Sequence, residues 1–123
     1  MQTHPREDPV VITDQRPWGS FERFTLNESS TVKLIYVQPG ERLSLQRHEK
    51  RDEHWYMVKG GAVVTLDDQD VSLSSGEAVD IPRGVKHRIE NRGEEDLVFI
   101  EVQTGEYFGE DDIERFDDDY GRA

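Results

Sequence analysis

Two stretches decide the fold: GERLSLQRHEKRDEHWYMVKG at residues 40–60 and GEAVDIPRGVKHRIEN at residues 76–91. Each consists of short alternating segments punctuated by turn residues. Pro39-Gly40 and Gly60-Gly61 bracket the first, Pro82-Arg83-Gly84 interrupts the second, and Asn91-Arg92-Gly93 closes it. Working outward, the same texture continues. Residues 20–25, 31–37, 42–47, 53–59, 62–66, 71–73, 78–81, 87–90 and 97–103 form apolar or alternating runs of strand length. Many short strands spaced by Gly, Pro and acidic turns predict an all-β sandwich or barrel. Only residues 111–116 read as a helical turn, with Asp111 placed as its cap. Residues 1–15, polar and carrying Pro5 and Pro9, read as an extended arm. The expected organisation is this arm, a barrel over residues 16–108, and a tail over residues 109–123 packed on the barrel.

At 123 residues the chain has room for one domain with a core of its own. Fifteen basic against twenty-seven acidic residues leave a net charge of −12, which repels nucleic acid and anionic lipid. Much of the excess lies in adjacent acidic residues such as Asp67-Asp68 and Asp117-Asp118-Asp119. Neighbouring like charges need water or cations to screen them, so these read as solvated turns and tail. An acidic surface of this kind suits a salt-rich setting. With no cysteine there is neither a disulfide framework nor a thiolate ligand or nucleophile. No apolar run reaches membrane-spanning length and no signal-peptide core is visible, so the expected location is the cytoplasm.

The histidines carry the chemistry. Gly40 begins G-x5-Q-x-H-x4-E-x6-G through Gln46, His48 and Glu53, and Gly76 begins G-x5-P-x-G-x2-H-x3-N through His87. Gln46 and His48 stand two apart on one strand and so face the same way. Glu53 opens the next strand, and His87 begins the one after the Pro82-Arg83-Gly84 turn. Three strand ends thereby aim two imidazoles, a carboxylate and an amide oxygen at one point. That donor set suits a single divalent ion, with zinc the leading choice over Mn, Co, Ni and Fe. Ordinary polar residues on a solvated face are the alternative. The second pattern fixes five positions, and a chance match is on the order of 10⁻⁵ to 10⁻⁴ at average residue frequencies.

These two patterns resemble the cupin motifs, with Gln46 standing where cupins usually carry the first histidine. The set Gln46, His48, Glu53 and His87 resembles the metal ligands of phosphomannose isomerases. Flanking text sharpens the resemblance: Arg16-Pro-Trp-Gly19, Leu43-Ser-Leu-Gln46, Arg51-Asp-Glu-His-Trp55, Ile81-Pro-Arg-Gly84, Ile100-Glu-Val-Gln103, Gly109-Glu-Asp-Asp-Ile113 and Asp119-Tyr-Gly-Arg122. Together they are similar to the stand-alone form of the type II phosphomannose isomerase cupin domain, over residues 16–122. The resemblance implies a double-stranded β-helix or jelly-roll barrel. It also implies metal-dependent interconversion of mannose 6-phosphate and fructose 6-phosphate through an enediolate.

Such a reaction requires a Lewis acid, a base and a clamp for the phosphate. Glu101, a lone carboxylate in the apolar run from Leu97 to Val102, is the candidate base, or else a structural partner of Lys33 or an arginine. His54 is the rival base, although alternation turns it away from Glu53. Arg51, in the turn between His48 and Glu53, is the first candidate for the phosphate, followed by Lys33 and Arg83. Lys86 and Arg88 flank His87 and are expected to point outward. Trp55, on the same strand face as Glu53, walls the sugar pocket or fills the core. A non-catalytic cupin that binds a sugar or sugar phosphate is the competing function, and a metal-dependent oxygenase is a third. Small-molecule sugar phosphate and a second copy of the chain, as a homodimer, are the expected partners.

Overall fold

The computed structural model describes residues 12–24 and 30–119; most of the arm, and Tyr120 and Arg122 of the tail, lie outside them. Among these residues eleven strands form two antiparallel sheets. They are β1 (Ile12–Arg16), β2 (Gly19–Arg23), β3 (Ser30–Val37), β4 (Leu45–Arg47), β5 (Arg51–Lys59), β6 (Ala62–Leu66), β7 (Gln69–Leu73), β8 (Ala78–Ile81), β9 (His87–Glu90), β10 (Leu97–Gly105) and β11 (Glu114–Asp117). One sheet runs β1-β2-β3-β10-β5-β8 and the other β11-β4-β9-β6-β7. The all-β barrel expected from the turn spacing is present, as a jelly roll of two facing sheets.

Alternation explains both the core and the place of the site. Along β5, Arg51, Glu53, Trp55 and Met57 are buried while His54, Tyr56 and Val58 are exposed. Along β10 the buried set is Leu97, Phe99, Glu101 and Gln103. The antiparallel register pairs Met57 with Phe99, Trp55 with Glu101 and Glu53 with Gln103, so buried residue meets buried residue across the sheet. Apolar residues gather at one end of the barrel, where Val37, Met57, Val64, Ile89, Leu97 and Phe99 are wholly buried. Each such side chain contributes about 1.5–3 kcal/mol on burial. Polar inward residues gather at the other end, and the candidate site lies there.

Two segments differ from the sequence reading. The expected helical turn over residues 111–116 is instead a 3-10 turn at Glu110–Asp112 followed by strand β11. Edge pairing decides this: β11 takes β4 as its neighbour, with Glu114 opposite Arg47 and Arg115 opposite Gln46. Asp111 accepts the Tyr107 hydroxyl, and Asp112 accepts the backbone N–H groups of Glu49 (3.3 Å) and Lys50 (3.0 Å). At the other terminus, residues 12–15, read as the end of the arm, belong to β1 and pair with β2.

Two motif-flanking residues hold the turns. Gly19 has φ 153°, and a Cβ there would lie 2.0 Å from the Tyr36 carbonyl oxygen, so the β2–β3 pairing admits no side chain. Asn91 is fully buried; its amide nitrogen donates to the Val37 (2.9 Å) and Glu95 (2.8 Å) carbonyls, and its oxygen accepts the Gly93 N–H at 2.9 Å. Asn91→Ala orphans two carbonyls and one N–H, and the expected cost is about 2–4 kcal/mol. Thermal denaturation against the parent chain checks this; an unchanged melting temperature would contradict it.

Candidate metal centre

His48 follows the last residue of β4, Glu53 is the third residue of β5, and His87 opens β9. All three side chains are buried, and ligand atoms from each lie within 4.8 Å of one another. The Pro82-Arg83-Gly84 turn brings two of them together: the Gly84 N–H donates to the His48 carbonyl at 2.7 Å, and Gly84 holds φ 87°. His87 Nδ1 lies 3.0 Å from the Val85 carbonyl, which fixes Nδ1 as the donor and leaves Nε2 directed at Glu53, 4.0 Å away. Its ring lies 4.9 Å from that of His48. Glu53 is held at both oxygens, by the Trp55 indole N–H at 2.9 Å and by Arg51 Nε at 3.1 Å. Gln46, opposite His87 in the register, lines the same cavity. Its amide nitrogen donates to Ser44 Oγ at 2.8 Å, leaving the amide oxygen for the cavity.

The protonation states suit a cation. Burial, with Arg51 and His87 beside it, drives the His48 pKa down to about 3, so the imidazole is neutral and keeps its lone pair. Burial pushes the Glu53 carboxyl up, but His87, Arg51 and the Trp55 N–H together outweigh it, and Glu53 stays ionised. Burial and then the Glu53 charge hold Glu101 above the usual carboxylate range, with Lys33 and Arg51 pulling the other way. Two imidazoles and one carboxylate at such separations fit a divalent ion, with Gln46 as a further oxygen donor.

Comparison with known proteins gives the family and the fold. The family model described as mannose-6-phosphate isomerase C-terminal matches residues 6–118. The chain belongs to that family. The alginate biosynthesis protein AlgA of Pseudomonas aeruginosa is 50% identical over 88% of this chain and 22% of its own length. The xanthan biosynthesis protein XanB of Xanthomonas campestris is 49% identical over 88% of this chain and 23% of its own. The chain therefore spans under a quarter of the length of these relatives. Among solved structures, the capsular polysaccharide assembling protein CapF of Staphylococcus aureus superposes with a TM-score of 0.75 at 25% identity, over 94% of this chain and 33% of that one. Oxalate decarboxylase of Bacillus subtilis reaches 0.75 at 22% identity over 86% and 30%, a likeness of fold alone. The barrel is a cupin, as the two motifs implied.

The remaining sequence candidates divide. Glu101 is buried in the cavity wall beside Trp55 and accepts the Gln103 amide. Trp55 is both core and wall, packed on Phe99 at 5.1 Å and edge-on to His87 at 5.5 Å. Lys33 does turn inward, opposite Glu101, with its ammonium 4.6 Å from the Phe21 ring centre. Two candidates, Arg51 and Arg83, stand elsewhere than expected. Arg51 is not at the rim: it opens β5, is 4% exposed, and spends its guanidinium on Glu53, the Phe108 carbonyl (3.1 Å) and His48 Nε2 (2.7 Å). Arg83 faces solvent, tied to Asp52 at 3.4 Å and Glu106 at 3.3 Å, outside the cavity. His54 lies on the outer face of β5, as alternation led one to expect, half exposed, 2.6 Å from Asp80 and outside the cavity.

Other wall residues were missed. Arg88, expected to point outward, is buried and lines the cavity, bound to the Leu43 carbonyl (2.8 Å) and to Asp117 (3.2 Å) of β11, the edge strand of the same sheet. Arg16 and Arg115 also line the cavity. Reading residues 111–116 as helix hid the alternation that would have turned Arg115 inward. Among the described residues no helix is long and apolar enough to cross a membrane.

Proposed function

We propose that the protein is a metal-dependent aldose–ketose isomerase acting on mannose 6-phosphate and fructose 6-phosphate. One observation carries the reading. A buried His48, Glu53, His87 cluster shares its cavity with a second buried carboxylate, Glu101, in a chain matched over residues 6–118 by a family named for this reaction. His48, Glu53, His87 and Gln46 would hold the ion. When bound, a divalent ion supplies Lewis acidity for the sugar oxygens.

The remaining work falls to the chain. Glu101, as carboxylate, takes the C2 proton of the open-chain aldose; the C–H electron pair becomes the C1=C2 bond, and the C1 carbonyl oxygen becomes the enediolate oxygen. A proton passes from O2 to O1, and Glu101 returns its own proton to C1, leaving the carbonyl at C2. No external oxidant or reductant is needed. Gln103 orients the Glu101 carboxylate, while Trp55 and Arg51 hold Glu53 in place. The surrounding Trp18, Phe21 and Ile35 keep water from the reacting carbons.

The test is a coupled assay for conversion of mannose 6-phosphate, run after EDTA and after return of Zn, Mn, Co or Ni singly. Turnover is expected to disappear with chelation and to return with one metal at one equivalent per chain. A folded, metal-loaded protein that converts neither sugar phosphate overturns the isomerase. If such a protein still binds the sugar phosphate, the non-catalytic cupin takes its place.

A further inference from the structure

The cavity is a cationic pocket inside an anionic protein. Its wall carries five cationic side chains against two carboxylates, Glu53 and Glu101, whereas the whole chain has a net charge of −12. Such a pocket focuses its field on an anion. The five are not equivalent. Arg51 is committed to Glu53, His48 and the Phe108 carbonyl, and Arg88 to Asp117 and the Leu43 carbonyl. Lys33 and Arg115 are different. Among the described residues no carboxylate lies within ion-pair distance of either, and none offers a hydrogen-bond partner to the buried Arg115 Nε. A buried guanidinium nitrogen left so is costly unless something else fills the role.

The sheet register says where these two charges stand. In one sheet the inward row reads Lys33, Glu101, Trp55 on β3, β10 and β5. In the facing sheet it reads Arg115, Gln46, His87 on β11, β4 and β9. In each sheet the free cation lies two strand spacings, roughly 10 Å, from the strand that carries a metal-cluster residue. The two cations thus mark the same side of the barrel, across from Glu53 and His87. An extended six-carbon chain covers a gap of this order.

We propose that Lys33 and Arg115 form the anion subsite of this cavity. They would take the phosphate of a sugar phosphate whose carbonyl end lies at the His48, Glu53, His87 cluster. Arg16, which also lines the cavity and lies 3.5 Å from Asp14, stands beside them. The pairing of an arginine fork with a lysine point charge suits a phosphate dianion. The carboxylates Glu53 and Glu101, at the opposite end, repel it and set the polarity of binding. This assignment replaces Arg51 and Arg83 as the phosphate clamp, and it rests on the sugar-phosphate reading above for its substrate.

The test uses the zinc-loaded full chain. Dissociation constants for mannose 6-phosphate, mannose and inorganic phosphate are measured by calorimetry, with turnover alongside, for the parent, Arg115→Gln, Lys33→Met and, as a control, Arg92→Gln. Arg115→Gln and Lys33→Met are each expected to weaken mannose 6-phosphate and inorganic phosphate at least tenfold. KM should rise while kcat and zinc stoichiometry stay close to the parent's, and mannose binding should not change. Arg92, exposed and paired with Glu90, should have no effect. If Arg115→Gln does not fold, Lys33→Met decides alone. Phosphate affinities equal to the parent's in a folded, zinc-loaded variant overturn the subsite, even if the parent turns over mannose 6-phosphate. Weakened phosphate binding in the variants of a parent that shows no turnover sinks the isomerase and leaves the subsite standing.

Discussion

Glu53→Ala is expected to lose its metal, and with it all turnover. Glu53 is the one ionised carboxylate among the three clustered residues, and it faces both His48 (3.4 Å) and His87 (4.0 Å). Loss of a residue that only supports a ligand costs 10–100-fold in metal affinity, so loss of this ligand should exceed ~100-fold. The alanine also strands the buried Arg51 guanidinium, an effect worth about 3–5 kcal/mol. Glu53→Gln separates the two consequences in part: Trp55 and Arg51 donate to different Glu53 oxygens, so the single amide oxygen of glutamine keeps one of the two hydrogen bonds, whereas alanine loses both. Zinc content per chain, measured after dialysis, should fall in both variants, while the melting temperature should fall further in the alanine. A Glu53→Gln protein that holds zinc as tightly as the parent would remove this carboxylate from the ligand set.

Glu101→Gln should cost about 10²–10⁴ in kcat, the usual contribution of a positioned base, with zinc binding close to the parent's. A purely structural carboxylate would give the opposite pattern, with little change in rate. The metal-free protein offers a second readout. Glu101 is held above its ordinary value of 4.5 by burial and by Glu53, so the folded state binds its proton more tightly than the unfolded chain. The stabilisation from that proton is complete below 4.5 and is lost as pH rises through the folded value. A glutamine carries no such dependence. The variant should therefore melt above the parent at pH 7, with the gap shrinking towards pH 4. In the parent, turnover should fall on the acid side at a pH above the usual carboxylate range, since the base must be ionised. Retained turnover in Glu101→Gln would move the base elsewhere.

How much of this was legible in the chain differs from element to element. Three of the nine expected runs coincide with strands at both ends: β6, β8 and β9. The run expected at residues 42–47 shortens to β4, with Arg42 joined to Glu90 by an isolated bridge, because Leu43 and Ser44 bend towards the cavity. Strand β11 was hidden because Asp111, Asp112 and Glu114 are compatible with a helix start as well as with an edge strand. Only the partner strand β4 chooses between them. Arg88 defeated the outward expectation for the same reason. Alternation says which face of β9 it occupies, but not that Asp117 of the edge strand β11 comes within reach of it.

The sequence by itself determined the class of fold and the composition of the candidate metal cluster. Period-two alternation, the Gly and Pro turns and the two histidine motifs are local, and local sterics read the same way before and after folding. His48, Glu53 and His87 lie within 40 residues of one another in the chain, so motif spacing sufficed to bring them together. Only the tertiary structure decided which cations serve the cavity. Arg115 reaches it from a strand more than 60 residues beyond β4, while Arg51 and Arg83 are drawn off by Glu53, Asp52 and Glu106. A guanidinium carries the same charge wherever it stands in the sequence. What it binds is set by which acceptors the packed chain places around it, and that is a property of the assembled sheets.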